Sequence, residues 1–307
     1  MHRSITLLAT ALVAMGTALS LAVLSPSAAS PAAAATRPFY LSLGDSYSIG
    51  YQPGIGGTSG YTGYVAGKLN LRPENFGCGG ATTSSLIGSK GCADPASQDA
   101  VPYTGITQER AALNFIAAHK GAVRLITISI GGNDFDSCIT APCVQAAMPG
   151  MEAGIKTLVS AVDKALVKAS DTDARIIGLT YPDVDLGLYV YPDDPPASAA
   201  VSLAKTSIIA FDDLINPTLK KSYLSVSRTS FVDVTSAPYM KATRGDDTSL
   251  SLTETVAPYG TVPVAVGEVC QLTYFCSQGN IHADTLGYDF IGSLVVANYR
   301  SLSRPAN

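Results

Sequence analysis

Short apolar runs rich in β-branched residues alternate along this chain with longer stretches of helical periodicity, and that alternation restricts the fold more than any other feature. Val123-Arg124-Leu125-Ile126-Thr127-Ile128-Ser129-Ile130 has the make-up of a buried strand. Arg175 to Thr180 and Thr229 to Val234 read as further strands, and Phe39-Tyr40-Leu41-Ser42-Leu43 as a short one ending at Gly44-Asp45. Between them, Met151, Ile155, Leu158, Val159, Val162 and Leu166 recur at i, i+4, i+7, i+8, i+11 and i+15, one apolar helix face. Helices are also predicted over 107–119, over 197–219 with Pro217 disturbing the last turn, and over 284–301. A short one runs through Leu69 after the glycine-rich stretch 50–63. Strands alternating with helices of this length require a sheet covered on both faces. The expectation is a three-layer α/β/α sandwich with a central, mostly parallel sheet, in which active residues gather at the carboxyl ends of strands. No repeat or polar linker interrupts the pattern, so 36–307 reads as a single domain. Segments 181–196 and 239–274 are expected to be long loops shaping a binding rim.

Residues 1–35 stand apart. Arg3 precedes an uncharged apolar run from Ile5 to Leu24, followed by small residues at Ser27-Ala28-Ala29 and Ala32 to Ala35. This is the layout of a secretory leader, with cleavage after Ala29 or Ala35. A membrane anchor is the competing reading, but small residues dilute the run; after processing no stable membrane span is expected. Export accounts for the cysteines. All six (Cys78, Cys92, Cys138, Cys143, Cys270, Cys276) follow the leader, and an even number in an exported chain reads as disulfides. Fifteen connectivities are possible; three pairs of near neighbours make Cys78–Cys92, Cys138–Cys143 and Cys270–Cys276 the simplest. Zinc is disfavoured, because no CxxC pair occurs. The net charge of −4 leaves no basic footprint for nucleic acid. Asp193-Asp194 and Asp246-Asp247 lack the spacing of a calcium loop.

Beyond the leader only two histidines remain. His119 closes a predicted helix, where a cation complements the dipole, and reads as structural. His282 lies in a loop between Cys276 and the last helix, a suitable station for a general base. Ser46, in Gly44-Asp45-Ser46-Tyr47-Ser48, stands just past the first strand, where a sharp turn can aim backbone N–H groups at a developing oxyanion. A bare Gly-Asp-Ser is common in turns. Asn75-Phe76-Gly77-Cys78-Gly79-Gly80-Ala81-Thr82 offers backbone that can approach a ligand closely, and Gly131-Gly132-Asn133-Asp134 brings an amide donor to the end of the most apolar strand. Asp45 and Asp134 read as loop-holding residues. Tyr47, Tyr51, Tyr61, Tyr189 and Tyr191 are candidates to line an acyl or alcohol pocket.

In order, the Ser46, Gly80, Asn133 and His282 segments resemble the SGNH (GDSL) hydrolases across about 37–303, in the manner of the secreted actinobacterial esterases and lipases with three disulfides. The resemblance implies a flavodoxin-like fold and cleavage of carboxylic esters through an acyl-enzyme on Ser46, with His282 as its base. It also implies an oxyanion hole built from Ser46 N–H, Gly80 N–H and the Asn133 side-chain amide. Neither a cofactor nor a metal is called for; the partner is a small-molecule or lipid ester, and the protein is expected to be an extracellular monomer. Lipase, phospholipase and carbohydrate O-acyl esterase activities all fit this machinery, and a non-catalytic binding protein on the same scaffold is the alternative from another class. One position departs from the family pattern. Asp is usual three residues before the histidine, where this chain has Gly279; Asn280 stands two before and Asp284 two after. Two arrangements stay open: a Ser–His dyad whose Nδ1–H is held by a backbone carbonyl near 278–280, or Asp284 as third member.

Overall fold

The computed structural model describes residues 37–92, 96–138, 140–191, 197–235 and 248–302. The leader expected over 1–35 and the acidic pairs Asp193-Asp194 and Asp246-Asp247 lie outside the described residues. Five strands form the sheet: β1 (Phe39–Gly44), β2 (Arg72–Asn75), β3 (Val123–Ser129), β4 (Arg175–Leu179) and β5 (Thr229–Val232). All pairings are parallel, in the order β2-β1-β3-β4-β5. This is the flavodoxin-like order, and its switch point lies between β1 and β3, where a crevice opens at the carboxyl ends of the strands. β1 is buried along its whole length, and β3 nearly so. That two-sided burial is why these strands are continuous apolar runs instead of alternating ones.

Ten α-helices accompany the strands among the described residues: α1 (Gly60–Leu69), α2 (Thr83–Gly88), α3 (Gln108–Ala118), α4 (Ala141–Lys168), α5 (Ala197–Ile208), α6 (Asn216–Tyr223), α7 (Thr248–Ser251), α8 (Val264–Leu272), α9 (Phe275–Gln278) and α10 (Thr285–Leu302). Helix α1 packs on α10, whereas α2, α3 and α6 gather around α4. The α4 stripe from Met151 to Leu166 is buried as its spacing demands. Helix α6 comes unusually close to the sheet. A Cβ added at Gly178 of β4 would lie 2.2 Å from the ring of Tyr223, which is itself fully buried.

The structure departs from the sequence expectations in four places. Strand β2 reads Arg-Pro-Glu-Asn, with none of the apolar residues that mark a strand; it is tolerated at an edge, where Pro73 withholds no ladder bond. The segment expected as a loop over 239–274 contains α7, α8 and an antiparallel hairpin of β6 (Thr253–Val256) and β7 (Gly260–Pro263). Within 181–196 a 3₁₀ turn spans Val184–Tyr189. Finally, the single helix expected over 197–219 is α5, a π-helical turn (Ile209–Ile215) and α6. Pro217 sits in the first turn of α6, where a missing N–H costs nothing, and not in a disturbed last turn.

The sulfurs of Cys78 and Cys92, Cys138 and Cys143, and Cys270 and Cys276 are bonded, with Cα separations of 5.7, 5.3 and 5.1 Å. Among the described residues no helix is long and apolar enough to cross a membrane, and no three His, Cys, Asp or Glu side chains converge as a metal site.

Candidate active site

Ser46 owes its position to Gly44. The last residue of β1 has φ +141°, and a Cβ there would lie 1.9 Å from the Ser129 carbonyl oxygen, so only glycine lets β1 end this close to β3. Gln108 of α3 clasps the same residue, accepting from Gly44 N–H (2.7 Å) and donating from Nε2 to Gly44 O (3.0 Å). Asp45 N–H then donates to Ser129 O (3.1 Å), and the chain turns with Ile49 N–H on Asp45 O and Tyr51 N–H on Ser46 O. The Asp45 carboxylate accepts from Tyr47 N–H (2.9 Å) and from the Tyr181 hydroxyl. Burial pushes this carboxyl up to about 7. Ser46 stands at the start of the turn, in the wall of a cleft of about 350 Å³.

Asn133 reaches that cleft from the end of β3, on a 3₁₀ turn spanning Gly132–Phe135. Its Nδ2 donates to Ala81 O (2.8 Å), while Asp134 accepts from Thr83 N–H (2.9 Å) and Thr83 Oγ1 (2.5 Å). Those three bonds lace the Asn133 segment to the Gly80 segment across about fifty residues of sequence. Gly80 itself is exposed, at φ +67°, and lies one residue before Ala81, whose carbonyl is bonded. It borders a second cleft of about 230 Å³ that includes Ser85, Lys90 and Tyr103. The structure thus brings Ser46 and Asn133 into one cleft and sets Gly80 at the neighbouring one.

His282 arrives on the loop between α9 and α10. The Cys270–Cys276 bond closes the preceding segment, Gly279 ends α9 in the left-handed region (φ +62°), and Tyr274 N–H donates to His282 O (3.0 Å). The imidazole packs on the Tyr51 ring (centroids 4.6 Å) and near Tyr47 (5.9 Å), both on the turn that carries Ser46. Tyr47 Oη donates to Ile281 O (2.6 Å), tying the two loops together. His282 Nδ1 lies 2.8 Å from Asn280 Oδ1, and Nε2 is buried with no hydrogen-bond partner among the described residues. Burial away from water holds the imidazole down at about 4, so it is neutral at pH 7. No hydrogen bond joins Ser46 Oγ to Nε2 in this structure; such bonds are often long before substrate binds.

Neither arrangement expected for the imidazole is present. The atom at Nδ1 is a side-chain carbonyl, not a backbone one, and Asp284 is occupied elsewhere: its Oδ1 accepts from Gly287 N–H (2.8 Å) in the first turn of α10. The other histidine, His119, stacks on Phe115 (3.9 Å) beside Phe39, at the opposite end of β1.

Residues 42–250 match the model of the GDSL-like Lipase/Acylhydrolase family, which is more than half of the chain. The chain belongs to this family. His282 lies beyond the matched span. Among solved structures, an extracellular lipase from Streptomyces rimosus is similar at 20% identity and a TM-score of 0.43, covering 85% of this chain and 98% of that one. A lipase from a goat rumen metagenome is similar at 14% identity and a TM-score of 0.49, covering 85% and 96%. An acetylxylan esterase catalytic mutant from Geobacillus stearothermophilus is similar at 17% identity and a TM-score of 0.44, covering 85% and 94%. No curated protein sequence matches the chain.

Membership makes the protein a GDSL-like hydrolase of the esterase/lipase type, and its cleft suits that chemistry. Phe135, Val144, Val184, Phe211 and Ile215 supply apolar lining to the cleft that holds Ser46 and Asn133. Of the five tyrosines expected at the pocket, Tyr47 alone lines it. Tyr61 is buried in the core within reach of Thr127 (3.4 Å), Tyr51 lies on His282, and Tyr191 packs on Phe275. Tyr181 takes a place in the wall that spacing alone does not assign it; the signal in the sequence is its position just past β4, at a strand's carboxyl end. Gln108 had none, because its role depends on a backbone 64 residues away.

The Asp284 contact yields a prediction for the fold of this GDSL-like hydrolase. Asp284→Ala removes the side chain that caps α10, and the expected cost is about 0.5–2 kcal/mol. Thermal unfolding should therefore begin a few degrees lower, with ester hydrolysis at low temperature largely retained. A drop in kcat on the order of 10⁴-fold would instead make Asp284 a triad member.

Proposed function

We propose that this protein is a secreted serine hydrolase of carboxylic esters, working through an acyl-enzyme on Ser46 with His282 as the base. The observation that carries the reading is the buried, unpartnered Nε2 of His282, held beside the turn that bears Ser46. A serine hydroxyl is a poor nucleophile until a neighbouring base accepts its proton. A neutral imidazole with an open ring nitrogen meets that need. In this reading Ser46 Oγ attacks the acyl carbonyl as its proton passes to Nε2, and the imidazolium returns that proton to the leaving alkoxide. Water then repeats the sequence on the acyl-enzyme and releases the acid.

The tetrahedral intermediate places negative charge on the former carbonyl oxygen. Ser46 N–H, Gly80 N–H and Asn133 are the donors proposed for it. An amide nitrogen carries two hydrogens, and only one is engaged by Ala81 O, which leaves the second for the oxyanion. The apolar wall favours an acyl group over a charged one, and about 350 Å³ is at the small end of ligand pockets, in favour of short to medium acyl chains. Export, with residues 1–35 removed as a leader and 36–307 as the mature domain, accords with three disulfides, which persist in oxidising compartments.

The test is covalent labelling with a fluorophosphonate, beside a panel of p-nitrophenyl esters from acetyl to palmitoyl and phosphatidylcholine. One adduct on Ser46, loss of turnover in step with labelling, and a maximum at short or medium chains are expected. Continued hydrolysis by protein fully labelled at Ser46 would overturn the assignment.

A further inference from the structure

We infer that the Asn280 side chain is the positioning residue of the catalytic base, a neutral amide standing where a triad has a carboxylate. The inference rests on the proposed roles of Ser46 and His282. Its evidence is a pair of contacts to one atom: Asn280 Oδ1 lies 3.1 Å from the backbone nitrogen of His282 and 2.8 Å from its ring Nδ1. A backbone N–H can only donate, so the Asn280 atom facing it is the carbonyl oxygen and not the amide NH₂. An amide oxygen can only accept, so Nδ1 must carry the hydrogen. In the neutral imidazole the lone pair is then on Nε2, the nitrogen without a partner.

One side chain thereby sets both the tautomer and the orientation of the ring. The Asn280 contacts span only two residues, and they form because Gly279 in the left-handed region turns the chain back towards α10. During the reaction the Ser46 proton moves to Nε2 and later to the leaving alcohol. Nδ1–H stays on Asn280 Oδ1 throughout, and Asn280 neither gains nor loses a proton. Among the described residues, no cation or carboxylate pairs with the ring. Tyr47 and Tyr51 face it from the turn after β1, Tyr274 bonds its backbone, and Asp284 is turned to Gly287 N–H. Burial without a charged partner agrees with the low value of His282.

Two variants test the inference by their pH profiles. Asn280→Ala leaves Nδ1–H unbonded and the tautomer unfixed, so kcat should fall about 100-fold, within the usual worth of a positioned base. Asn280→Asp keeps an acceptor at the same place but adds a charge beside the imidazolium. Turnover near neutral pH should be retained or raised, and the acid limb of kcat/KM, expected near pH 4 in the parent, should move up by about one to three pH units. The sign follows from the base, which must be neutral to act: a raised value makes activity disappear sooner as pH falls. A residue that merely props the loop would not move that limb. Full activity in Asn280→Ala, or an unmoved acid limb in Asn280→Asp, would overturn the inference. Should Asn280→Ala fail to fold, the limb of Asn280→Asp decides alone. Ser46→Ala separates the two levels: if it is as active as the parent, the functional reading falls as well, whereas an inactive Ser46→Ala with indifferent Asn280 variants sinks the Asn280 role only.

Discussion

Ser46→Ala is expected to lower kcat on p-nitrophenyl butyrate by about 10⁵- to 10⁶-fold, the scale seen when a nucleophile that works with a histidine is removed. His282→Ala should cost nearly as much, and the double variant hardly more than either. That non-additivity is the sharper result. In the proposed mechanism nucleophile and base accomplish one proton transfer between them, so once either is missing the other has no task left. Ser46 is almost fully buried at the start of a turn whose bonds are made by backbone and by Asp45, so circular dichroism and unfolding temperature should barely change in Ser46→Ala. Effects of the two single substitutions that multiply in the double variant would mean that the two side chains act separately, and the acyl-enzyme mechanism would have to be abandoned.

Asn133→Ala carries the second-largest expected effect, a loss of about 10²- to 10³-fold in kcat with KM little altered. The selectivity for kcat follows from where charge appears. The ester oxygen is weakly charged when bound and becomes an oxyanion only in the transition state, so a donor preorganised for the latter contributes little to binding. Asn133→Asp should be worse still, because a carboxylate would then face the developing negative charge. The substitution also removes the bond to Ala81 O, worth about 1 kcal/mol, so a small fall in unfolding temperature accompanies the kinetic loss. Steady-state kinetics on one ester together with a thermal melt separates the two. A rise in KM with kcat preserved would place Asn133 in substrate binding and outside the oxyanion hole.

Short or polar elements leave little trace in the sequence pattern. β2 was invisible because an edge strand of Arg-Pro-Glu-Asn buries little, and burial is what writes apolar residues into a strand. The β6/β7 hairpin and α8 lay within a stretch read as loop. The hairpin strands are four residues each and α8, though apolar at Val264, Ala265, Val266, Val269 and Leu272, is only nine, so no window long enough for a period contains them. In the sequence Asn280 is only the residue beside a departure from the family pattern. Its role needs Gly279 at φ +62° and a side-chain torsion, neither of which spacing reveals.

By itself the sequence determined the parallel sheet, the buried faces of β1, β3 and α4, and the stations of Ser46 and Asn133. Each of these follows from local pattern: apolar periodicity dictates which surface must leave water, and a glycine after a strand dictates where the chain can turn. Tertiary structure alone decided the rest. It set β3 beside β1, closed Tyr181 onto Asp45 across 136 residues, and packed the His282 imidazole on Tyr51 of the turn bearing Ser46. Those contacts join segments far apart in the chain, and their geometry depends on packing and on hydrogen-bond direction in three dimensions, which no one-dimensional period encodes.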